Sequence, residues 1–416
     1  MNILLLGAGG REHAIARALR RDSAVESLLI APGNPGMADL GELVDIDILD
    51  GAAVAQLATS RGVDLVVIGP EAPLVAGVAD DVRAAGVPVF GPGAEAARLE
   101  GSKAFAKEVM SYAHVPTAQA RTCASLAEVE AALDEFGAPH VVKDDGLAAG
   151  KGVIVTDSRD EALAHAAACL KTPRSRVLVE EFLDGPEVSL FCLCDGRVAV
   201  PLQSAQDFKR AYDGGAGPNT GGMGSYSPLA WAPEGLQDEV AATVAQPVVD
   251  EMARRGTPFV GLLYCGLALS SAGLRVVEFN VRFGDPETQS VLARLETPLG
   301  ALLLDAARGE LGDVELTWSA DAAVTVVLAA SGYPATPRTG DAITGLDEAQ
   351  ATPGAHVIHA GTALDEQSRL VSAGGRVLAT VGMGASVEVA RTIAYEALAK
   401  IGLDGSHHRS DIAAGV

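Results

Sequence analysis

Four stretches within the first hundred residues are apolar without interruption: NILLLG (2–7), SLLIAP (27–32), LVVIG (65–69) and VPVFG (87–91). A strand with one wet face alternates apolar and polar side chains, whereas an unbroken run needs cover on both faces. Between these runs lie helix-like stretches, among them REHAIARALR (11–20), AGVADDVRAAG (76–86) and AEAARLEGSKAFAKEVM (94–110). Strands alternating with helices predict a parallel sheet sandwiched between helical layers. Such sheets bind ligands at the strand ends, where glycines turn the chain.

The pattern changes near residue 117. HVVKDD (140–145) and GVIVTD (152–157) read as strands bracketing a glycine-rich run, RDEALAHAAACLK (159–171) reads as a helix, and RVLVEEFLDG, EVSLFCLCDG and RVAVPLQ read as further strands. Asp195-Gly196 signals a tight hairpin. A long glycine-rich stretch, YDGGAGPNTGGMGSYSP (212–228), then interrupts the strands, and loops of that length are usually functional. Beyond about residue 312, AAVTVVLAA, HVIHAG and RVLATVG precede one helix-like stretch, SVEVARTIAYEALAKIG, as in a small β-rich domain. A chain of 416 residues exceeds what one core supports. The expected division is 1–100, 101–312 with a small lobe at about 115–190, and 313–416.

A formal charge of −23 repels polyanions, which argues against nucleic acid as a partner. Small anions held by a few placed cations remain compatible with it. No apolar run is long enough for a membrane span and no basic leader opens the chain, so the cytoplasm is the expected location. Five scattered cysteines without a C-x-x-C suit free thiols in a reducing compartment. Nothing calls for a second chain, and a monomer is the working expectation.

Two glycine-rich stretches invite phosphate-loop readings. GAGGREHA (7–14) begins like the dinucleotide fingerprint, but Glu12 stands where the third small residue belongs, and the second strand ends without the acid that would bind a ribose. Gly9 and Gly10 can still present backbone N–H groups to an anion at a helix start. In VVKDDGLAAGKG (141–152), Gly146 and Gly150 enclose three residues rather than four, and Gly152 follows Lys151 where a P-loop needs a hydroxyl. Flanked by strands, this run reads as a flap laying backbone donors over phosphates, with Lys143 adding charge beneath.

RVVEFNVRFGDPETQ (275–289) offers a cation site. On a strand, Glu278, Asn280 and Arg282 share one face, and Val277, Phe279 and Val281 the other. A carboxylate and an amide oxygen two residues apart suit a hard cation such as magnesium that keeps phosphate and water as its remaining ligands. Arg282 can fork onto a carboxylate or phosphate, and the following turn adds Asp285 and Glu287.

Taken in order, GAGGREHA, APGNPG, IGPEAPLVAGV, LEGSKAF, DGLAAGKGVIV, EEFLDGPEVS, QDFKR, GPNTGGMGSYSP, EFNVRFGDPETQ and RTGD resemble the ATP-grasp superfamily, and within it the glycinamide ribonucleotide synthetase family, over nearly the whole chain. The resemblance implies a Rossmann-like N-terminal domain, a two-lobed core gripping ATP and a small C-terminal β-rich domain, an α/β and α+β multidomain fold. It implies ATP-dependent joining of glycine to 5-phosphoribosylamine, with Mg2+ or Mn2+. Lys103 and Lys143 then match positions that meet ATP phosphates beneath the 146–152 flap. Glu180, Glu181 and Phe182 match the strand passing the adenine edge, Glu187 a position near the ribose, and Glu278 and Asn280 the metal ligands.

A carboxylate is inert toward amines until activated, so glycine is expected to attack the γ-phosphate and the resulting glycyl phosphate to be taken by the amine. Arg282 is expected at the glycine carboxylate and Asp285 at its ammonium. The loop 217–224, centred on Asn219, Thr220, Gly221 and Gly222, is expected to wrap the ribose phosphate, with Gly9, Gly10, Arg11 and Asn34 closing the other side. Two departures from the family pattern stand out: Asp144 replaces a small residue, and Phe208 a frequent histidine. Other readings are a grasp ligase for a different acid or amine, a nucleotide-binding regulatory module, and a nicotinamide oxidoreductase.

Overall fold

The computed structural model describes residues 1–146, 152–172, 174–312 and 314–416. The expected parallel sheet is present. Its strands run Glu42–Leu43, Ser27–Pro32, Asn2–Gly7, Leu65–Ile68 and Val89–Phe90 in spatial order, all parallel. Ile3 to Leu6 are wholly buried because helices cover both faces. The strand order reverses at Asn2–Gly7, so the Gly7–Gly9 turn sits at the crevice where such sheets take ligands.

The small lobe is a four-stranded antiparallel sheet, Ala120–Cys123, Val177–Glu180, His140–Asp144 and Val153–Thr156 in spatial order. Helices Leu126–Phe136 and Arg159–Cys169 close over it around a separate core that includes Val129, Leu133, Val142, Ala166 and Val179. The larger lobe carries Ala199–Pro201, Glu187–Asp195, Val260–Ser270 and Gly273–Asn280, also antiparallel. The Asp195-Gly196 hairpin forms as expected: the Asp195 carboxylate accepts the N–H groups of Arg197 and Val198, both at 2.9 Å.

The third sheet is less local than its sequence suggests. Ala322–Ala329, Arg376–Gly384 and Ala355–His359 are joined by Gly224–Ser227 and Gln206–Asp207, two strands from more than ninety residues upstream. The glycine-rich 212–228 stretch is therefore not one loop. Its middle pairs as a ribbon, Arg210–Tyr212 with Ala216–Asn219, and its end crosses into this sheet. Helix Val387–Leu398 packs over the assembly.

Two other expectations are corrected. AEAARLEGSKAFAKEVM is two helices, Ala94–Gly101 and Lys103–Tyr112, broken at Ser102, whose hydroxyl accepts the Phe105 N–H to cap the second. The strand carrying Glu278 contains a bulge. Gly266 faces Glu278 while Leu267 faces Val276, so Val277 is the extra residue and Val276 takes the core position expected of it. Glu278, Asn280 and Arg282 keep their common face.

Candidate active site

The break at Ser102 places Lys103 in the first turn of a helix, beside the flap base. Ser102 Oγ donates to Asp145 Oδ1 at 3.0 Å, the Ala104 N–H does the same at 3.0 Å, and Lys103 Nζ donates to the Gly146 carbonyl at 3.1 Å. The far side of that hairpin is closed by the Asp144 N–H on the Gly152 carbonyl at 2.7 Å. Gly150 and Lys151 lie outside the described residues.

Lys143 is buried and lies 2.9 Å from Glu180 Oε2, while Lys107 lies 3.3 Å from Glu180 Oε1. Burial alone would depress the Lys143 ammonium, but Glu180 and Glu278 hold it above its ordinary value. Lys143 Nζ also donates to the Val277 carbonyl at 3.1 Å, the carbonyl that the bulge turns out of register. This bond links the small lobe to the strand of the large one.

The side chain of Glu180 thus serves the lysines, and its backbone lies in the sheet. Glu181 gives its N–H to Gln119, at 3.0 Å. Among the described residues, the Glu181 carbonyl and the Phe182 N–H have no partner, which confines any backbone reading of a base to that peptide. Phe182 is exposed beside it, and Glu187, also exposed, pairs with Lys209.

The Glu278 carboxylate makes no hydrogen bond or ion pair with the described residues, although its backbone is paired in the strand ladder. Burial disfavours its charge, yet Lys209, Lys143, Lys103 and Arg282 keep its carboxyl below the usual range. Among the described residues, Asn280 Oδ1 accepts one hydrogen, from Arg282 Nη2 at 3.2 Å. An ionised carboxylate without a partner beside a free amide lone pair is a donor set that fits a hard cation. Among the described residues no group of three or more His, Cys, Asp or Glu is arranged for a metal, so such an ion would complete its shell from phosphate and water.

Arg282 reaches back to the N-terminal half of the chain. Its Nη2 donates to Glu100 Oε1 at 2.8 Å, and its Nε lies 3.3 Å from Glu71 Oε2 without the alignment of a hydrogen bond. Glu71 and Glu100 belong to the IGPE and LEGSK stretches. The sequence signalled the stretches but not these roles, because the pairing spans about two hundred residues.

Asp285 is already engaged. It lies 3.3 Å from Arg376, accepts the Gln289 amide at 2.8 Å and faces the Arg11 N–H at 3.4 Å. The anion faced by this helix start is therefore Asp285 itself. The Gly9 N–H, expected to be open, is taken by Glu12 Oε2 at 2.7 Å. Glu12 is buried, and a Cβ on Gly7, which has φ +127°, would collide with it. The acid that departs from the dinucleotide fingerprint thus fills the place a pyrophosphate would need, which counts against the nicotinamide reading.

Arg11 donates to the Phe283 carbonyl at 3.0 Å, adjoining Arg282. Asn34 spends its whole amide internally: Oδ1 accepts the Gly36 N–H at 3.0 Å, and Nδ2 donates to the carbonyls of Ala8 at 2.8 Å and His359 at 3.1 Å. It pins the N-terminal turn to the C-terminal sheet. Asn219 pairs with Arg210, Thr220 Oγ1 donates to the Lys209 carbonyl at 2.8 Å, and Gly221 offers its N–H to Tyr333 Oη at 3.1 Å. Arg376, unforeseen from sequence, donates to the carbonyls of Gly221, Gly222 and Asp285. Phe208 packs on Tyr226 beneath Arg409, opposite the face of Asp207 and Lys209, so its departure from histidine falls outside the charged cluster.

Two antiparallel lobes meeting over buried lysines and an acid–amide pair, behind a parallel-sheet domain, define an ATP-grasp protein. The fold is shared with the biotin carboxylase–β,γ-ATP complex from Campylobacter jejuni, at a TM-score of 0.73 and 13% identity over 98% of this chain and 92% of that one. More narrowly, the chain belongs to the phosphoribosylglycinamide synthetase family. Its N domain matches residues 1–100, its ATP-grasp (A) domain 101–288 and its C domain 323–415. The chain is 64% identical to the phosphoribosylamine--glycine ligase of Streptomyces coelicolor, covering 100% of this chain and 99% of that protein. The crystal structure of the same enzyme from Thermotoga maritima matches with a TM-score of 0.85 and 33% identity, covering 99% and 100% of the two chains.

Proposed function

We propose that this chain joins glycine to 5-phosphoribosylamine at the expense of ATP, giving glycinamide ribonucleotide, ADP and phosphate, an early step of purine synthesis. Agreement with relatives of that name along the full chain supports the reaction. The observation that carries the chemistry is the convergence of Lys103, Lys143, Lys209 and Arg282 on Glu278. Phosphoryl transfer depends on alignment and charge neutralisation rather than on a nucleophilic side chain.

In this reading Lys103 and Lys143 lie along the ATP phosphates. Glu278 and Asn280 would hold a divalent cation, Mg2+ or Mn2+, which neutralises phosphate charge when bound. Arg282, kept protonated by Glu100 and Glu71, faces the substrate carboxylate and the oxyanion that develops when the amine attacks. Asp285 and Arg376 order the 219–222 turn for the ribose phosphate. No helix among the described residues is long and apolar enough to cross a membrane, and a cytoplasmic setting, with small-molecule substrates only, accords with the reaction.

The test is ADP release by the purified chain. It should need both glycine and phosphoribosylamine and should vanish in Glu278→Gln. Release supported equally by another amino acid would overturn the glycine assignment.

A further inference from the structure

A cleft of about 890 Å³ opens where the N-terminal domain meets the C-terminal one. Helix Gly10–Arg21 and the 33–43 segment form one wall. The other is built from helix Leu346–Gln350, strand Ala355–His359 and the ribbon of Thr362–Leu364 on Leu370–Ser372. Gly9, Arg11, Arg282, Asp285 and Arg376 do not line it, and Asn34, which does, spends its amide internally. Leu40, Leu43, Val357, Leu364 and Leu370 make the cleft largely apolar. Leu43 from one domain and Leu364 from the other remain 38% and 57% exposed.

The cation of this cleft is unspent. Arg17 lines it, and its guanidinium makes no hydrogen bond or ion pair with the described residues. Burial and Arg21 push its pKa below the ordinary value, and neither Asp39 nor Asp347, which also line the cleft, pairs with it. Arg21 gives its own guanidinium to the carbonyls of Leu292, Ala293 and Leu295. His13 adds a directed donor. It is 3% exposed and lines the cleft, and its Nδ1 accepts the His359 N–H at 3.0 Å, so the neutral ring carries its proton on Nε2. That N–H has no partner among the described residues. Burial, His359 and Arg17 together lower His13, so the guanidinium lies within reach of its field. An unpaired guanidinium beside a buried N–H without an acceptor is set to receive an anion.

We propose that this cleft binds a small organic anion with a flat apolar body, its acid group on Arg17 and His13 and its ring between the leucines of the two domains. Ligand sites are typically clefts of roughly 300–1,000 Å³ at domain boundaries, apolar with a few placed polar groups. A guanidinium and an imidazole N–H serve a carboxylate or a phosphate monoester alike, whereas a bare inorganic ion would leave the leucine walls uncovered. The site stands apart from the ligase reading, because it shares no residue with the machinery assigned to that reaction.

The test is calorimetric titration of the full chain, loaded with ADP and Mg2+ to fill the nucleotide site, with 2-naphthoate and with 1-naphthyl phosphate. At least one should bind and raise the thermal midpoint, and the tighter of the two identifies the acid group. The uncharged 2-naphthalenemethanol should bind at least about tenfold more weakly than that acid. Arg17→Gln should weaken the acid at least about tenfold. Leu364→Asp, which sets a like charge at the exposed mouth, should weaken it too, while ADP release without the probe stays within about twofold of the parent in both variants. Failure of both acids to bind, or equal affinity in the parent and Arg17→Gln, overturns the site. So does a loss of basal turnover of about tenfold in Arg17→Gln, which would tie the residue to the reaction instead.

Discussion

Arg282 Nη2 lies 2.8 Å from Glu100 Oε1, and Glu100 Oε2 accepts the Val281 N–H at 2.8 Å. One carboxylate from the last turn of helix Ala94–Gly101 thus sets both the guanidinium and the backbone of the strand end that follows the cation pair. Burial raises the Glu100 carboxyl against the pull of Arg282, so this pair is held by geometry rather than by easy ionisation.

Removing that carboxylate should therefore cost both stability and alignment. Glu100→Ala is expected to lose about 3 kcal/mol, because among the described carboxylates Arg282 then pairs only with the poorly aligned Glu71. Its kcat should fall at least about tenfold through misplacement of the guanidinium. Arg282→Ala should lower kcat by about a hundredfold or more with little change in ATP binding. Urea unfolding and nucleotide titration separate the two effects. Equal losses of turnover and ATP affinity in Arg282→Ala would mean that the residue merely holds the fold.

Lys143 and Lys107 share Glu180, which makes the consequences of mutation asymmetric. Lys143→Met leaves Glu180 paired with Lys107, so the lobe should stay folded while ADP affinity drops by about one to two orders of magnitude. Glu180→Leu strands two lysines in the interior and should destabilise the lobe by about 3–5 kcal/mol. Calorimetric titration of ADP and thermal unfolding of both variants check the contrast. A Glu180→Leu protein as stable as the parent would show that the ion pair contributes nothing net.

The junction between the N-terminal helix Gly10–Arg21 and the strand Ala355–His359 should weaken in acid. The His359 N–H donates to His13 Nδ1 at 3.0 Å, which requires neutral His13. Burial, His359 and Arg17 lower His13 well below 6.5. Burial with Arg17 and Arg21 brings His356 to about 3, and burial brings His359 to about 4. A histidine depressed in the folded state binds protons more readily when unfolded. Its stabilisation is therefore complete above 6.5 and is lost as pH falls from there toward 4. The thermal midpoint should decline over that window, and less steeply in His356→Gln. A flat profile from pH 7 to 5 would refute the linkage.

Legibility followed the range of each interaction. The unbroken run Ile3–Leu6 announced a doubly covered sheet because burial on both faces is written locally. Glu278, Asn280 and Arg282 were readable as one face because a strand alternates with period two, and only the bulge at Val277 escaped, since it depends on the partner strand. The residues that order the site were not readable in this way. Glu100 meets Arg282, and Arg376 meets Asp285, only after three domains have packed. Gly224–Ser227 joins a sheet three of whose strands lie far downstream, and no local pattern encodes that choice.

Arg376 carries the last expectation. Its Nη1 donates to the carbonyls of Gly221, Gly222 at 3.3 Å and Asp285 at 2.6 Å, and its Nη2 lies 3.3 Å from Asp285 Oδ2. Gly222 has φ +106°, and a Cβ there would strike Pro286, so the 219–222 turn and the Asp285–Pro286 turn fit only in this close form. One planar fork satisfies the backbone of both segments, and an ammonium does not reproduce that geometry. Arg376→Lys should therefore loosen the 219–222 turn and raise the KM for phosphoribosylamine at least about tenfold, while the KM values for ATP and glycine move by less than about twofold. Tyr333→Phe, which removes only the bond from the Gly221 N–H, should act in the same direction and more weakly. A uniform rise in all three KM values would place Arg376 among the residues that hold domains together rather than those that shape the phosphate pocket.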